Sequence, residues 1–166
     1  TRLARLGSAS KVLAPALRVG WLVAPSEECA AVERLQQSTD LCGSALTQTV
    51  AAELLSDSVW FDAHLRGLRV AYRSRARALT DALDDAFGDA IVRSSPTGGM
   101  FCWVEFRDGR DTGALLPRAV DHGVAFVPGA AFAVDTPLTS ALRCSFAGYP
   151  EPVLRDAVLR LAASAT

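Results

Sequence analysis

The chain has 166 residues, 50% of them apolar, and its 17 basic and 18 acidic side chains leave a formal net charge of -1 at pH 7. That balance describes a globular α/β-sized domain able to bury roughly two-thirds of its unfolded surface. It offers neither the basic excess of a nucleic-acid surface nor the run of about 20 apolar residues that a bilayer span needs.

The start Thr1-Arg2-Leu3 lacks the layout of a signal peptide, so a cytoplasmic protein is expected. No methionine opens the chain, which suggests an excised or processed piece. A strand is predicted over residues 2–6 and another over residues 19–24, with a loop from Gly7 to Arg18 between them. Pro25 closes the second, and Ser26 with Glu27 and Glu28 predicts a capping hydroxyl and acids in the first turn of a helix reaching about Gln37. A second helix is expected from Leu46 to Leu55.

Phe61, Leu65, Leu68, Tyr72, Ala76, Leu79, Leu83 and Phe87 then recur by threes and fours, the spacing of one long amphipathic helix. Its other face carries Arg66, Arg69, Arg73, Arg75, Arg77, Asp81 and Asp84 and reads as solvated. Gly88 ends it. Strands are predicted at Ile91-Val92, Met100–Phe106, Val124–Val127 and Ala141–Phe146, with helices over Thr112–His122 and Pro150–Ala163, the latter with Pro150 or Pro152 in its first turn. The alternation is that of an α/β fold. Cys29, Cys42, Cys102 and Cys144 are scattered, and His64 and His122 stand alone. They read as reduced, mostly buried thiols and isolated histidines, and no metal site is expected.

Chemistry concentrates between the first two strands. Lys11 is the one lysine among 17 basic residues. Arginine replaces lysine as a charge but cannot lose its proton, so a retained lysine marks a place where an amine is needed. A neutral amine forms an imine with an aldehyde once burial or nearby cations lower its pKa. Ser8, Ser10 and Arg18 add hydroxyl and guanidinium donors of the kind that hold a phosphate ester, with Gly7 freeing backbone N–H groups. Taken singly, the serines read as turn residues, Arg18 as a surface charge and Lys11 as a loop lysine. Together they describe a site for a phosphorylated aldehyde.

Ser8-Ala9-Ser10-Lys11, followed by Ala14-Pro15-Ala16-Leu17-Arg18-Val19-Gly20, resembles the cofactor-lysine signature of class I and II aminotransferases, fold-type-I enzymes dependent on pyridoxal 5'-phosphate (PLP). The nearest branch is that of the 2-aminoadipate aminotransferases and MocR-type regulators. Thr97–Val104, Gly123–Phe132 and Leu142–Ala147 resemble later family segments in the same order.

The resemblance implies that Lys11 forms the Schiff base with PLP and that Ser8, Ser10 and Arg18 bind its phosphate. It implies that Arg143 receives the substrate α-carboxylate and that backbone at Gly99 comes close to the substrate. Residues 1–56 would end the PLP-binding large domain, 57–87 form a long connecting helix, and 88–166 form a small C-terminal α/β domain. The family's aspartate against the pyridine nitrogen and its ring-stacking aromatic lie upstream of the signature, so residues 1–166 alone should be catalytically poor.

The implied partners are an α-amino acid, a 2-oxo acid and a second copy of the chain in a homodimer, with Ser38 to Gln48 near that partner. In isolation Gly98-Gly99 fits a hairpin bend, and Phe101, Trp103 and Phe132 fit the core. Arg143, set in an apolar strand, needs a carboxylate such as Glu105 or Asp135, or an open cleft. Two other readings stay open. One is the effector-sensing domain of a MocR/GntR-type transcription regulator, which would bind nucleic acid only through an N-terminal DNA-binding domain outside this sequence. The other is a cofactor-free fragment that folds and dimerises.

Overall fold

The computed structural model describes residues 3–166 as two compact units, residues 1–66 and 67–166, so Arg2 of the first expected strand lies outside the described residues. In the first unit β1 (Arg5–Ser8) pairs antiparallel with β2 (Gly20–Val23), Leu6 opposite Leu22 and Gly7 opposite Trp21. The ladder ends at Ser8 and Gly20, which brings both ends of the Lys11 connection to one end of the hairpin.

Helices α1 (Ser26–Thr39) and α2 (Ala45–Ser56) follow. Ser26 does not cap α1. The cap is Pro25, whose carbonyl accepts from the Cys29 N–H at 3.1 Å, and Ser26 is already the first helical residue. Ser44 does cap α2, accepting from the Thr47 N–H at 3.4 Å. Among the described residues this unit buries only Ala9 and Ala51, and α1 buries none, while Leu6, Val23, Leu35, Leu41 and Leu46 are exposed.

The long helix α3 runs Ser58–Phe87. From Gly67 onward it belongs to the second unit, where Ala76, Leu79, Ala82 and Leu83 of its apolar stripe are buried. Gly88, at φ 48°, ends it, because a left-handed turn suits a residue without a Cβ.

Strands β3 (Ile91–Arg93), β4 (Phe101–Phe106), β5 (Val127–Pro128) and β6 (Ala141–Ser145) form one antiparallel sheet in the order β3-β4-β6-β5. Helices α4 (Thr112–Asp121) and α5 (Glu151–Ala165) complete the unit. Cys102, Val104, Phe106 and Leu142 point into a core shared with Leu83, Leu115, Ala119, Leu154, Val158 and Leu161. Alternation in β4 therefore sends Phe101, Trp103 and Glu105 to the opposite face, where Trp103 stands opposite Arg143. The fully buried Thr112 hydroxyl is satisfied by the carbonyls of Thr139, at 3.0 Å, and Ala141, at 2.6 Å, fastening the start of α4 to the approach of β6.

The strand expected over 124–127 is shorter and later. Gly123, at φ 77°, and the Val124 N–H, which donates to the Ala119 carbonyl at 3.0 Å, spend residues 123–124 on ending α4.

Part of the helix face read as solvated is paired. Arg93 grips Asp84 through two hydrogen bonds of 2.7 and 2.5 Å. The hydrogen bonds from the Arg93 guanidinium hold the Asp84 carboxyl below its ordinary value, with burial opposing. A depressed folded pKa contributes stability above the unfolded value near 3.9, lost as pH falls through the folded one. With the Asp84 side chain 54% exposed, the pair is worth about 0.5–1 kcal/mol. Asp84→Asn is therefore expected to lower stability by that amount in urea titrations at pH 7, and the gap from wild type should close on acidification below pH ~4.

Candidate active site

The Lys11 connection is built from two 3-10 turns, Ala9–Lys11 and Pro15–Leu17. Ala9 is fully buried and anchors it: its N–H donates to the Val19 carbonyl at 3.0 Å, and its carbonyl accepts from Val12 at 3.3 Å and Leu13 at 2.8 Å. The Ser8 hydroxyl caps the first turn by accepting from the Ser10 N–H at 3.1 Å.

Lys11 ends that turn with its side chain exposed, and among the described residues its amine has no hydrogen bond or ion pair. Arg18 ends the second turn at φ 53°, a left-handed conformation that costs a non-glycine residue about 1–2 kcal/mol, and its Nη1 donates to the Pro15 carbonyl at 3.3 Å. Ser8, Ser10, Lys11 and Arg18 thus share one short connection, and no carboxylate lies within that stretch of sequence.

Arg143 belongs to the second unit. Its guanidinium carbon lies 4.0 Å from the centroid of the Phe101 ring and 4.5 Å from that of Phe132. Phe132, at the end of a 3-10 turn Gly129–Phe132, also meets Trp103 edge-on at 5.6 Å. The Arg143 Nε is buried without a hydrogen-bond partner, and none of the ion pairs among the described residues includes this arginine. Glu105 instead accepts from the Ser140 hydroxyl at 3.3 Å. Two rings flank the cation, and a buried N–H left unpaired costs about 1–3 kcal/mol. The arrangement suits an arriving carboxylate.

Gly99, at φ 74°, sits in the loop before β4 and lines a cleft of about 730 Å³ together with Arg93, Tyr72 and Phe146. A Cβ there would meet nothing within 4 Å, so conformation rather than space calls for glycine. Arg69, Arg73 and Arg77 of α3 line the same cleft.

Burial pushes the Cys144 thiol up to about 12 and also raises Cys102, which leaves both protonated and poorly nucleophilic at neutral pH. Among the described residues no three histidine, cysteine or acidic side chains gather as a metal site would require.

The family model for aminotransferase class I and II matches residues 2–161. The chain belongs to that family. It is 35% identical over 161 residues to aromatic-amino-acid aminotransferase 1 of Thermococcus litoralis, covering 97% of this chain and 38% of the relative. The fold is that of the fold-type-I aminotransferases. The solved structure of the alpha-aminoadipate aminotransferase LysN from Thermus thermophilus, complexed with N-(5'-phosphopyridoxyl)-L-leucine, superposes with a TM-score of 0.90 at 35% identity, over 97% of this chain and 41% of that one. The HTH-type transcriptional regulator YdfD of Bacillus subtilis is 29% identical over 130 residues, 78% of this chain and 27% of the regulator. The chain thus spans about two-fifths of the length of the aminotransferases it matches.

Three features of this aminotransferase chain escape a reading of its sequence. Phe101 and Phe132, which fit a core in isolation, are 39% and 37% exposed and flank Arg143 instead. His64, a lone histidine, reaches the Lys11 connection. The arginines of α3 line a cleft. The Phe101–Arg143 contact has a local signal in hindsight, because aromatic residues at alternate positions of β4 share a face with the arginine strand.

Proposed function

We propose that the chain is the C-terminal part of a longer PLP-dependent aminotransferase that moves an amino group between an α-amino acid and a 2-oxo acid. The observation that carries this reading is the sole lysine of a family-matching chain, placed on a connection shared with two hydroxyls and an arginine, its amine without a partner among the described residues. That donor set fits a phosphorylated aldehyde: an amine for the carbonyl carbon, and neutral and cationic donors for the phosphate.

Residues 1–56 then end the PLP-binding large domain, 57–87 form the connecting helix and 88–166 the small C-terminal domain. The scarcity of buried side chains in the first unit supports this, since a two-stranded ladder that exposes Leu6, Trp21 and Val23 needs further structure to cover it.

When bound, PLP supplies an aldehyde and a conjugated ring that accepts electrons from the substrate Cα. Lys11 would hold that aldehyde through Nζ, release it to the substrate amine and, as a general base, carry the proton from the substrate Cα to the aldehyde-derived carbon. Ser8, Ser10 and Arg18 hold the phosphate. Arg143 grips the substrate α-carboxylate, and the backbone at Gly99 borders the substrate. A homodimer in the cytoplasm is the setting that goes with this reading, and no helix among the described residues is long and apolar enough to cross a membrane.

The likeness to YdfD favours one second reading, an effector-sensing domain in a regulator of the MocR/GntR type. Amino-group transfer by the full-length protein decides between them, and Arg143→Lys sharpens the test. Lysine keeps the charge but loses the two parallel donors, so the Michaelis constant for the amino acid should rise about ten- to a hundredfold, the worth of a charge-assisted pair. The absorbance of the Lys11-bound cofactor should stay unchanged. A lowered melting temperature with normal kinetics would retire Arg143 as the anchor, and absence of any transfer by wild type would favour the regulator.

A further inference from the structure

A second element reaches the Lys11 turn from outside it. Asp57 caps α3, its Oδ1 accepting from the Trp60 N–H at 2.9 Å. One turn further on, His64 lies on the same face of the helix as Trp60. The two rings stack with centroids 5.0 Å apart and planes 6° from parallel. His64 Nε2 then lies 2.7 Å from the carbonyl oxygen of Val12, the residue after Lys11 and 52 positions away in sequence. A carbonyl only accepts, so Nε2 carries the proton and donates. The bonds made by the Ser8, Arg18 and Ser44 side chains in this unit are local by comparison.

The turn is thus tied at two places. Ala9 joins its start to the approach of β2, and His64 joins its end to the first turns of α3. Lys11 has no side-chain partner among the described residues, so the backbone that carries it sets the point from which Nζ reaches out. A stacked, half-buried imidazole is a stiff tether for that backbone, because the indole limits the ring's rotation and the Asp57 cap holds the Trp60 backbone.

We propose that His64 is a positioning residue for Lys11: with Trp60 as its platform, it holds the Val12 carbonyl and so fixes the direction from which the lysine amine meets an aldehyde. The inference rests on the reading of Lys11 as the cofactor-bearing amine. It assigns work to a histidine through its contacts with Trp60 and the Val12 carbonyl, and it predicts that a donor at this point matters while the imidazole as such does not.

The test uses the full-length protein freed of PLP, following the growth of visible absorbance when PLP is added back. His64→Leu keeps an apolar contact with Trp60 but has no donor, and attachment should slow about ten- to a hundredfold, the scale of a misplaced reacting group. His64→Gln, whose amide N–H reaches about as far as Nε2, should stay within about threefold of wild type. Melting temperatures of both variants are measured alongside, and they should remain close to each other. Attachment at the wild-type rate in His64→Leu overturns the proposal, as does a glutamine variant as slow as the leucine one, which would mark His64 as structural. Borohydride reduction and peptide mapping of the wild type separate this from the underlying reading: an adduct away from Lys11 removes the reading itself, whereas an adduct on Lys11 with unaffected His64 variants removes only the tether.

Discussion

Arginine at position 11 is expected to leave the full-length protein folded but without covalently held cofactor and without measurable amino-group transfer. Lys11 is the only amine on a side chain in this sequence, so none of these 166 residues can take over. Guanidinium keeps the positive charge and much of the reach, yet it stays protonated at any working pH and cannot attack an aldehyde. Loss of the proton-transfer role alone should cost about 10²–10⁴-fold in rate, and loss of the covalent link adds to it. Treatment with PLP and borohydride, followed by peptide mapping, checks the assignment. Wild type should yield a stable secondary amine on the peptide containing Lys11, and Lys11→Arg should yield none. An adduct persisting in the variant would show that the cofactor is carried elsewhere.

Gly129→Ala is expected to produce the largest loss of stability among single methyl additions in the second unit. Gly129 is buried, and a Cβ there would lie 2.3 Å from the Leu138 carbonyl oxygen and 2.8 Å from the Ala141 Cβ. Both obstacles belong to the segment entering β6, so relief requires moving the strand that carries Arg143. The same turn ends in Phe132, one of the two rings against that arginine. A cost of about 3 kcal/mol, the upper end for overpacking, translates into a melting point lower by on the order of 15 °C for a unit of this size. Thermal unfolding of the variant measures it, and a change under a few degrees would mean that β6 yields more easily than its hydrogen bonds suggest. Gly7→Ala makes a useful contrast. There the obstacle, 2.2 Å away, is the Trp21 indole, which is 41% exposed and can swing aside.

Features that repeat along the chain were the legible ones. The apolar steps from Phe61 to Phe87 located α3 because a helix that buries one stripe must repeat every three or four residues. β4 and β6 were visible through their apolar runs. The Lys11 connection was legible for a chemical reason, since a sole lysine between serines and an arginine advertises an amine whatever the fold.

What stayed hidden was set by contacts between distant positions or by elements too short to have a period. β5 comprises Val127 and Pro128 only, and Gly123 diverted its expected start into the end of α4. The seat of Arg143 joins residues 101, 132 and 143, and although alternation in β4 hints at Phe101, no local pattern brings in Phe132 from 31 positions further on. The grip of Arg93 on Asp84 links a strand to a helix nine positions earlier, so the charged face of α3 looked uniformly solvated. His64 was invisible for the same reason, its partner lying 52 positions upstream.

The positions of the three tryptophans give the molecule its own optical readout. Trp21 covers Gly7 at the strand leading into Ser8, Trp60 lies under His64, and Trp103 meets Phe132 beside Arg143. On the proposed reading each indole neighbours a different part of the site: the connection assigned to the phosphate, the tether proposed behind the lysine, and the arginine assigned to the carboxylate. Variants retaining one indole at a time would let emission intensity and colour report events at each place separately. Filling of the Lys11 turn should quench Trp21, loosening of the Val12 carbonyl should alter Trp60, and a carboxylate arriving at Arg143 should register at Trp103. Order of events, which equilibrium binding cannot resolve, becomes measurable in a single mixing experiment without any attached dye.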